Sequence, residues 1–406
     1  MKAVELFSGA GGLALGISLA GFKPLAVVEW DKWACDTIRL NQSRGFPLVA
    51  EWPLREGDVR QFSWSHLSAD IDLLAGGPPC QPFSMGGKHR AHDDERDMFP
   101  ATVSVLRELR PRAFIIENVK GLTRSAFASY SQYLLVQLEY PEIQQGSLET
   151  WSEHFSRLQS HKGRSESHGR SLAYSVVPTL VNAADHGVPQ KRERVFIVGF
   201  RRDLGIEWSF PSASHSQEAL IHDQWVTGDY WERHEIAQHH RPAMPDSARK
   251  AVARLQCSLF PPSLGAWRTV RDTLSDLPNP DSANSCSVAN HRLQPGARSY
   301  VGHTGSPWDA PSKTLKAGDH GVPGGENMLV LPSGEVRYMT VRESARLQTF
   351  PDGYRFQGSW SETMRQLGNA VPVRLAHIVA RSVARSLIEH KLEEAAASVS
   401  SRRHAA

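Results

Sequence analysis

The chain has 406 residues, of which 40% are hydrophobic and 22% are charged. This size allows a large buried core and predicts two domains, and the composition is that of an ordinary soluble protein. A net charge of +3 is too small to indicate a polyanionic partner by itself. Four cysteines without close pairing argue against a disulfide framework and for a reducing compartment. We find neither the roughly 18 apolar residues of a membrane span nor a signal peptide, so we expect a cytoplasmic protein.

The first 200 residues alternate short apolar runs with amphipathic stretches, which is the pattern of a doubly wound parallel α/β sheet. The predicted strands lie at residues 3–7, 25–29, 71–75, 113–117 and 195–199. Helical spacing predicts helices at residues 12–20, 31–40, 96–109 and, near the end of the chain, 373–394. A polar stretch at 141–171 is expected to be a surface insertion, and residues 396–406 a frayed tail.

Beyond residue 204 the periodicity fades, and tryptophan, histidine, proline and glycine-rich turns increase. We therefore expect a smaller, loop-rich domain at 205–338 and an organising hinge segment at 339–361. The main domain would comprise residues 1–204, completed by 362–406.

A glycine-rich loop from Phe7 to Gly12 follows the first predicted strand and opens the first helix. Glycines at such a turn let the backbone bend sharply and approach a ligand closely. Gly9, Gly11 and Ala14 occupy the three small positions of a dinucleotide fingerprint, and Glu29 follows 20 residues after Gly9. The loop alone does not distinguish NAD from S-adenosylmethionine, because both carry an adenosine whose ribose needs an acid at the end of a strand.

Two further residues are candidates for contact with an adenosine. Trp30, beside Glu29, offers a flat face to an adenine ring, and Asp58, after Gly57, offers a second polar contact. The alternative for Trp30 is a place in the hydrophobic core.

Cys80 lies in a Gly-Gly-Pro-Pro-Cys-Gln-Pro-Phe-Ser segment directly after the strand predicted at 71–75. Open α/β sheets place their chemistry on such loops at the ends of strands. The three prolines of the segment fix backbone dihedrals and remove amide donors, which favours a rigid mount for the thiol. These features favour a nucleophile, although a buried structural cysteine is the alternative.

Cys80 follows the strand predicted at 71–75, and Glu117 ends the strand predicted at 113–117. If these two strands are adjacent and parallel, both residues lie at one edge of the sheet. A carboxylic acid shielded from water can hold or deliver a proton. The basic segment Gln190 to Arg194 supplies guanidinium donors for carbonyl or phosphate oxygens. Each group also has an ordinary explanation when it is considered alone. Glu117 could be a carboxylate whose hydrogen bonds are made within the protein, and the segment from Gln190 to Arg194 could be a run of charged residues in contact with water. Together these groups predict an active site.

These motifs, in this order along the chain, closely resemble those of the DNA cytosine-5 methyltransferases. Glu5 is a departure, since many members carry Asp there. The segments that carry the resemblance are the cofactor loop Phe7 to Gly12, the ribose and adenine contacts Glu29 to Asp31, the catalytic loop Pro79 to Gln81, the proton-handling segment Glu117 to Val119, the basic motif Gln190 to Arg194, the organising segment Arg342 to Pro351 and the closing cofactor motif Gln366 to Val371.

The resemblance implies a Rossmann-like, S-adenosylmethionine-dependent enzyme that methylates carbon 5 of a cytosine in double-stranded DNA. Cys80 would add to carbon 6 of the base, and Glu117, held protonated, would donate to ring nitrogen 3. Arg194 would bond the carbonyl oxygen at carbon 2, and Arg192 would help to hold the site together. The base would be flipped out of the duplex, since a stacked cytosine cannot be reached.

The resemblance also implies further contacts, and no metal. The expected cofactor contacts are Phe7, Gly9, Gly11, Glu29, Trp30, Asp58, Pro79 and Asn369. The domain at 205–338 would recognise the target sequence, and the expected DNA contacts are Gln81, Ser84, Lys313, Thr314 and Lys316. For Lys313, Lys316 and the further candidate His320, ordinary loop polarity is the alternative.

Several other functions are disfavoured by the same residues. A zinc-dependent deaminase needs Pro-Cys-x-x-Cys, and Phe83 stands in place of the second cysteine. His234 and His239 are one residue too far apart for a metalloprotease helix. An NAD-dependent dehydrogenase would not need Cys80 and Glu117, and a catalytically inactive DNA-binding relative would be free to lose them. An RNA cytosine-5 methyltransferase of the same fold is the closest rival, and the sizeable second domain favours duplex DNA.

The compact form, without an appended regulatory domain, indicates a bacterial modification methyltransferase. We expect it to act as a monomer in the cytoplasm, associated with the nucleoid. It would protect host DNA from a partner restriction endonuclease that acts on the same site.

Overall fold

The computed structural model describes residues 1–67, 70–79, 97–164, 171–299, 304–317, 327–331 and 333–404. The chain forms two compact units. Unit 1 comprises Met1–Val181, Glu193–Pro211 and Ala376–Ala406, and unit 2 comprises Asn182–Arg192 and Ser212–Leu375. Within the described ranges, no helix combines the length and the apolar character that a bilayer crossing needs.

Unit 1 is built on a seven-stranded sheet. Its strands are β1 (Lys2–Leu6), β2 (Lys23–Glu29), β3 (Leu54–Glu56), β4 (Leu73–Gly76), β5 (Ala113–Val119), β6 (Tyr174–Asn182) and β7 (Glu193–Arg201). Their order across the sheet is β3-β2-β1-β4-β5-β7-β6. All five strands predicted from apolar runs are confirmed, whereas β3 and β6 were not predicted.

The sheet is mixed, and the prediction of a wholly parallel sheet is wrong in this respect. β1 to β5 pair in parallel, but β7 runs antiparallel to β5, with Val119 opposite Arg194. An apolar run indicates a buried strand but carries no information about the direction of that strand. The α/β class and the Rossmann-like arrangement of the first five strands are as predicted.

Helices cover the sheet of unit 1. They are α1 (Gly12–Leu19), α2 (Lys32–Ser43), α3 (Phe99–Leu109), α4 (Ala128–Glu139), α5 (Trp151–Arg164) and, at the end of the chain, α12 (Val373–His404). Val379, Val383 and Leu387 of α12 are buried, as their spacing predicts. Gly16 of α1 lies so close to α12 that a Cβ atom on it would come within 2.4 Å of the Ala376 Cβ. The prediction of a frayed tail from residue 396 is wrong, because α12 continues to His404.

The polar stretch at 141–171 contains α5 and is more than a surface loop. His154 and Leu158 of this helix are buried, and the Trp151 ring packs 5.6 Å from that of Tyr133 in α4. The apolar residues of α5 recur at helical spacing, but the polar composition of the stretch conceals this pattern.

The carboxyl ends of β1, β4 and β5 meet at one edge of the sheet. Leu6 at the end of β1 pairs with Gly76 at the end of β4, and Gly76 in turn pairs with Ile116 of β5. Between β1 and β4 the strand order reverses, since β2 and β3 lie on one side and β5 on the other. In open α/β sheets, ligands bind at such a switch point. The glycine-rich loop and the loop that leads to Cys80 therefore both start at this edge.

Unit 2 consists of short elements. Its helices are α6 (Gln217–His222), α7 (Asp229–Arg233), α8 (Asp246–Gln256), α9 (Val270–Leu274), α10 (Val341–Leu347) and α11 (Trp360–Asn369), and its strands are β8 (His215–Ser216), β9 (Gly265–Ala266), β10 (Met328–Val330) and β11 (Val336–Tyr338). Unit 2 extends to Leu375, so it includes the predicted hinge and the closing cofactor motif. The two units are defined by their compactness alone. The predicted division into a main domain, a recognition domain and a hinge segment stays a prediction.

Candidate active site

The loop after β1 has an unusual backbone. Phe7, Gly9 and Gly11 have φ angles of 55°, 53° and 86°, in the left-handed region that a bulky residue such as phenylalanine rarely adopts. The Ser8 N–H donates to the Val28 carbonyl at 3.1 Å and holds the turn against β2. Around the position that a Gly9 Cβ would take, no heavy atom of the described residues lies within 4 Å. The loop therefore leaves space for a ligand beside its backbone.

Glu29, at the end of β2, links this loop to the rest of the site. The side chain is only 6% exposed, and its Oε2 accepts the Gly9 N–H at 2.6 Å. Its Oε1 accepts the N–H groups of Trp30 and Asp31 at 2.9 and 2.8 Å. Burial raises the pKa of Glu29, and the three backbone donors oppose that rise. A carboxylate has about four acceptor positions, so Glu29 retains capacity for a ligand hydroxyl.

The structure separates the two interpretations of Trp30. This side chain is 68% exposed, so it is not part of the core. Asp58 begins a short 3₁₀ turn and accepts the Arg60 side-chain Nε–H at 3.0 Å. That pairing holds the pKa of Asp58 below its usual range. Gly57 donates its N–H to the Glu29 carbonyl at 2.8 Å, which places Asp58 next to the end of β2.

Two buried polar atoms near the end of β1 lack hydrogen-bond partners among the described residues. They are the Oε1 of Glu5 and the Oγ of Ser8. Glu5 is only 2% exposed; burial raises its pKa well above the usual range, and the nearby Glu29 charge adds to the rise. Buried polar atoms are normally satisfied, so orphaned atoms at a strand end call for a further partner such as a water molecule or a ligand. In the sequence, Glu5 stands out only as a departure from the family pattern, and no pattern singles out Ser8.

Glu117 and Arg194 form an ion pair at the same edge of the sheet. The Arg194 Nε lies 2.9 Å from the Glu117 Oε1, and both side chains are largely buried. Arg194 stands opposite Val119, two residues beyond Glu117, so both side chains project from one face of the sheet. Burial lowers the pKa of Arg194, and the Glu117 charge offsets part of this effect. A Cβ atom on Gly77 would come within 3.3 Å of the Glu117 Oε2, so the loop after β4 passes directly beside this carboxylate.

Asn118 fastens the loop after β4 to β5. Its Nδ2 donates to the Pro78 carbonyl at 3.3 Å, and its Oδ1 accepts the Val119 N–H at 2.8 Å. Pro79, which is partly buried, is the last residue of this loop within the described range. The predicted site residues Cys80, Gln81 and Ser84, and the candidate His320, lie outside the described residues.

Arg192 holds unit 2 together internally. The residue has 0% exposure, and its Nη1 donates to the Leu315 carbonyl at 3.0 Å. Its Nη2 donates to the carbonyls of Gly368 and Ala370 at 2.7 and 3.0 Å. The guanidinium thus joins the 312–317 loop to the end of α11. The role of Arg192 in the reaction stays a prediction.

The 312–317 loop carries three of the expected DNA contacts. The Lys313 Nζ donates to the Thr304 Oγ1 at 3.0 Å, and the Thr314 Oγ1 donates to the Lys191 carbonyl at 2.6 Å. Lys316, by contrast, has an exposed side chain.

The end of α11 fits closely against this loop. A Cβ atom on Gly368 would come within 2.3 Å of the Ala317 amide nitrogen, so the approach requires glycine. Asn369, the expected cofactor contact of unit 2, is the last residue of α11 and is exposed.

Comparison with known proteins decides the family. The sequence profile of the family described as C-5 cytosine-specific DNA methylase matches residues 1–140 and 166–385. The chain belongs to this family. The methylase is 32% identical over 391 residues to the Type II methyltransferase M.PspPI of Psychrobacter sp. (strain TA137), covering 95% of the methylase and 79% of that relative. It is 33% identical over 384 residues to M.Eco47II of Escherichia coli, covering 94% of the methylase and 78% of the relative.

Solved structures share the fold of the methylase. The Dnmt2 methyltransferase of S. pombe superposes with a TM-score of 0.54 at 17% identity, covering 96% of this chain and 99% of that one. The Entamoeba histolytica methyltransferase EhMeth gives a TM-score of 0.53 at 12% identity, covering 95% of this chain and 98% of that one.

In the part of the methylase that the structure describes, no three His, Cys, Asp or Glu side chains cluster in a way that could hold a metal ion.

Proposed function

We propose that the methylase transfers a methyl group from S-adenosylmethionine to carbon 5 of a flipped-out cytosine within a specific double-stranded DNA sequence, through a covalent adduct of Cys80. Membership of the cytosine-5 methylase family supports the reaction. The observation that carries the proposal is the buried Glu117–Arg194 pair beside the loop that leads to Cys80. The pair lies at the same sheet edge as the glycine-rich loop, so an acid, a guanidinium donor and a ligand loop meet there.

The residues at the end of β1 fit S-adenosylmethionine. The orphaned atoms of Glu5 and Ser8 can accept or donate hydrogen bonds, and the exposed Trp30 offers its face to an adenine ring. When bound, this cofactor supplies an electrophilic methyl group on a sulfonium. The residues that would hold it are Phe7, Gly9, Gly11, Glu29, Trp30, Asp58, Pro79 and Asn369.

Carbon 5 of cytosine is a poor nucleophile, and the side chains of the site would change this. In the proposed reaction, the Cys80 thiolate forms a bond to carbon 6 of the base. Glu117 delivers a proton to ring nitrogen 3, so the electron pair displaced from the ring gives a neutral enamine whose carbon 5 can accept the methyl group. A base such as a water molecule then takes the carbon-5 proton, the electron pair of that bond forms the ring double bond, and the carbon–sulfur bond breaks to release the thiolate. The proton on ring nitrogen 3 returns to Glu117, which restores the aromatic ring and the acid.

Arg194 would bind the oxygen at carbon 2 of the flipped base, because a guanidinium in a largely buried site is a strong donor. In the described arrangement its Nε lies 2.9 Å from the Glu117 Oε1, so the two side chains are already paired with each other. The proposal therefore requires the entering base to break this contact. Glu117 would then bind ring nitrogen 3, and Arg194 would bind the oxygen at carbon 2. Flipping the base out of the duplex costs a few kcal/mol.

The biological setting follows from the relatives. M.PspPI and M.Eco47II are named Type II methyltransferases. We infer that the methylase likewise modifies a recognition site shared with a restriction endonuclease. It would act as a monomer in the bacterial cytoplasm, at the nucleoid.

Duplex DNA that carries 5-fluorocytosine tests the covalent step. Fluorine cannot leave carbon 5 as a proton does, so the adduct with Cys80 should persist after methyl transfer. We expect a slower band on a denaturing gel, and its loss in Cys80→Ala. Cys257→Ala is the matched control, since Cys257 is a free, exposed thiol. An adduct that survives in Cys80→Ala, or one that is lost in Cys257→Ala, would contradict the assignment of the nucleophile.

Replacement of Trp30 by alanine tests the cofactor site without any need for turnover. Stacking of an aromatic side chain on a base contributes about 1–3 kcal/mol. We therefore expect Trp30→Ala to raise the Kd for S-adenosylmethionine roughly 5- to 150-fold, measured by calorimetry in the absence of DNA. Because Trp30 is exposed, the thermal unfolding temperature should hardly change. Trp33→Ala, in the first turn of α2, is the control; an equal loss of affinity in both variants would refute a stacking role.

A further inference from the structure

Three basic side chains of unit 2, away from the groups considered so far, lie close enough for their charges to interact. They are His215 of β8, Arg268 just after β9, and Arg374 in the first turn of α12. A Cβ atom on Gly187, which has a φ of 76°, would come within 2.7 Å of the His215 Cε1 and 3.0 Å of the Arg374 Nε. Two of the three side chains therefore approach the same point in space.

No carboxylate of a described residue pairs with these cations. The Arg374 Nε donates to the His186 carbonyl at 2.9 Å, and neither Arg374 nor the exposed Arg268 forms an ion pair within the described ranges. The nearby Asp185 accepts the Trp267 indole N–H at 2.9 Å. Other arginines of unit 2 do have acidic partners, among them Arg233, Arg271, Arg337 and Arg346.

Arg268 and Arg374 repel each other, and both oppose protonation of His215. Burial lowers the pKa of His215, and the charges of Arg374 and Arg268 lower it further. Burial also lowers the pKa of Arg374, with Arg268 adding to the effect. Holding like charges together without a counterion is unfavourable, and a bound anion would relieve the repulsion.

We propose that His215, Arg268 and Arg374 form a phosphate site that binds the backbone of duplex DNA. Guanidinium forks match phosphate oxygens in geometry as well as in charge. The His215 Nδ1 is engaged with the Ser214 Oγ at 2.8 Å, so its Nε2 edge is the one that faces Gly187. The proposal rests on the proposed function, because it assumes that unit 2 binds DNA. A contact of this kind fixes the position of the duplex and reads no bases.

The test is the salt dependence of DNA binding. Each phosphate contact contributes about −0.9 to the slope of log K against log salt concentration. We expect Arg268→Gln and Arg374→Gln each to reduce the magnitude of the slope by about 1, and by the same amount for specific and for unrelated duplexes. Arg254→Gln is the matched control, since Arg254 is an exposed arginine of unit 2 that is already paired with Glu218 at 2.8 Å.

An unchanged slope in Arg268→Gln would overturn the proposal. Arg268 is exposed and makes no hydrogen bond within the described part of the chain, so this variant should fold. Inorganic phosphate is the second probe: phosphate binding that is lost in the variant while the DNA slope stays unchanged would assign the site to a free anion and reject the DNA assignment. Methyl transfer by the wild type is measured separately. A reduced slope together with an inactive wild type would retain the phosphate site and reject the proposed function.

Discussion

Replacing Glu117 by glutamine is expected to lower kcat for DNA methylation by about 10²- to 10⁴-fold, the range typical of a lost general acid. Glutamine keeps the shape of the side chain and an oxygen that can accept the Arg194 N–H, but it has no proton to give to ring nitrogen 3. Binding of the cofactor should be unchanged, because the Glu29 contacts lie on another strand. Single-turnover kinetics at saturating DNA measure the effect on chemistry directly.

Glu193→Gln is the matched control for this variant. Glu193 precedes Arg194 on β7, but its side chain is exposed and pairs with Lys120 at 2.8 Å. Exposed pairs contribute little to stability, so both kcat and unfolding should stay close to the wild type. A Glu117→Gln enzyme with wild-type kcat would show that the acid lies elsewhere.

Replacing Arg192 by methionine is expected to lower the free energy of unfolding by about 2–4 kcal/mol, because hydrogen bonds to charged groups contribute about 1.5–3 kcal/mol and buried carbonyls lose their donor. Three backbone carbonyls, those of Leu315, Gly368 and Ala370, depend on this guanidinium. Methionine fills a similar volume without a donor. Chemical denaturation measures the loss, and Arg249→Met, at an exposed position of α8, should leave stability unchanged.

A positioning role for Arg192 also predicts how the kinetics divide. Well below the unfolding temperature, the loosened 312–317 loop should raise the KM for DNA more than it lowers kcat. Glu117→Gln should instead lower kcat more than it raises the KM for DNA. If Arg192→Met lost kcat while keeping wild-type stability and KM, Arg192 would be in contact with the substrate instead.

The sequence could predict which strand ends meet at one edge of the sheet, because this depends on short stretches of neighbouring residues. Apolar runs identified β4 and β5, and parallel neighbours bring the ends of such strands together, so the approach of the Gly77 loop to Glu117 could be expected. The pairing of Arg194 with Glu117 could not, because it requires β7 to run antiparallel to β5. An apolar run does not reveal strand direction.

Long-range contacts between side chains and the backbone could not be predicted from the sequence, for a different reason. Arg192 binds carbonyls more than a hundred residues away, and every residue type carries a carbonyl, so no pattern marks the partners. The orphaned Ser8 Oγ became evident only when its burial was known. Helix α5 was concealed because its few apolar residues stand among many polar ones.

The most direct measurement is the transfer of a labelled methyl group from S-adenosylmethionine to duplex DNA by the wild type and by Cys80→Ala, with RNA as the parallel substrate. We expect label on carbon 5 of cytosine in DNA, at one recognition sequence, with none transferred by the variant. Label on RNA alone would move the activity to an RNA cytosine-5 methyltransferase, and undiminished transfer by Cys80→Ala would contradict the covalent mechanism.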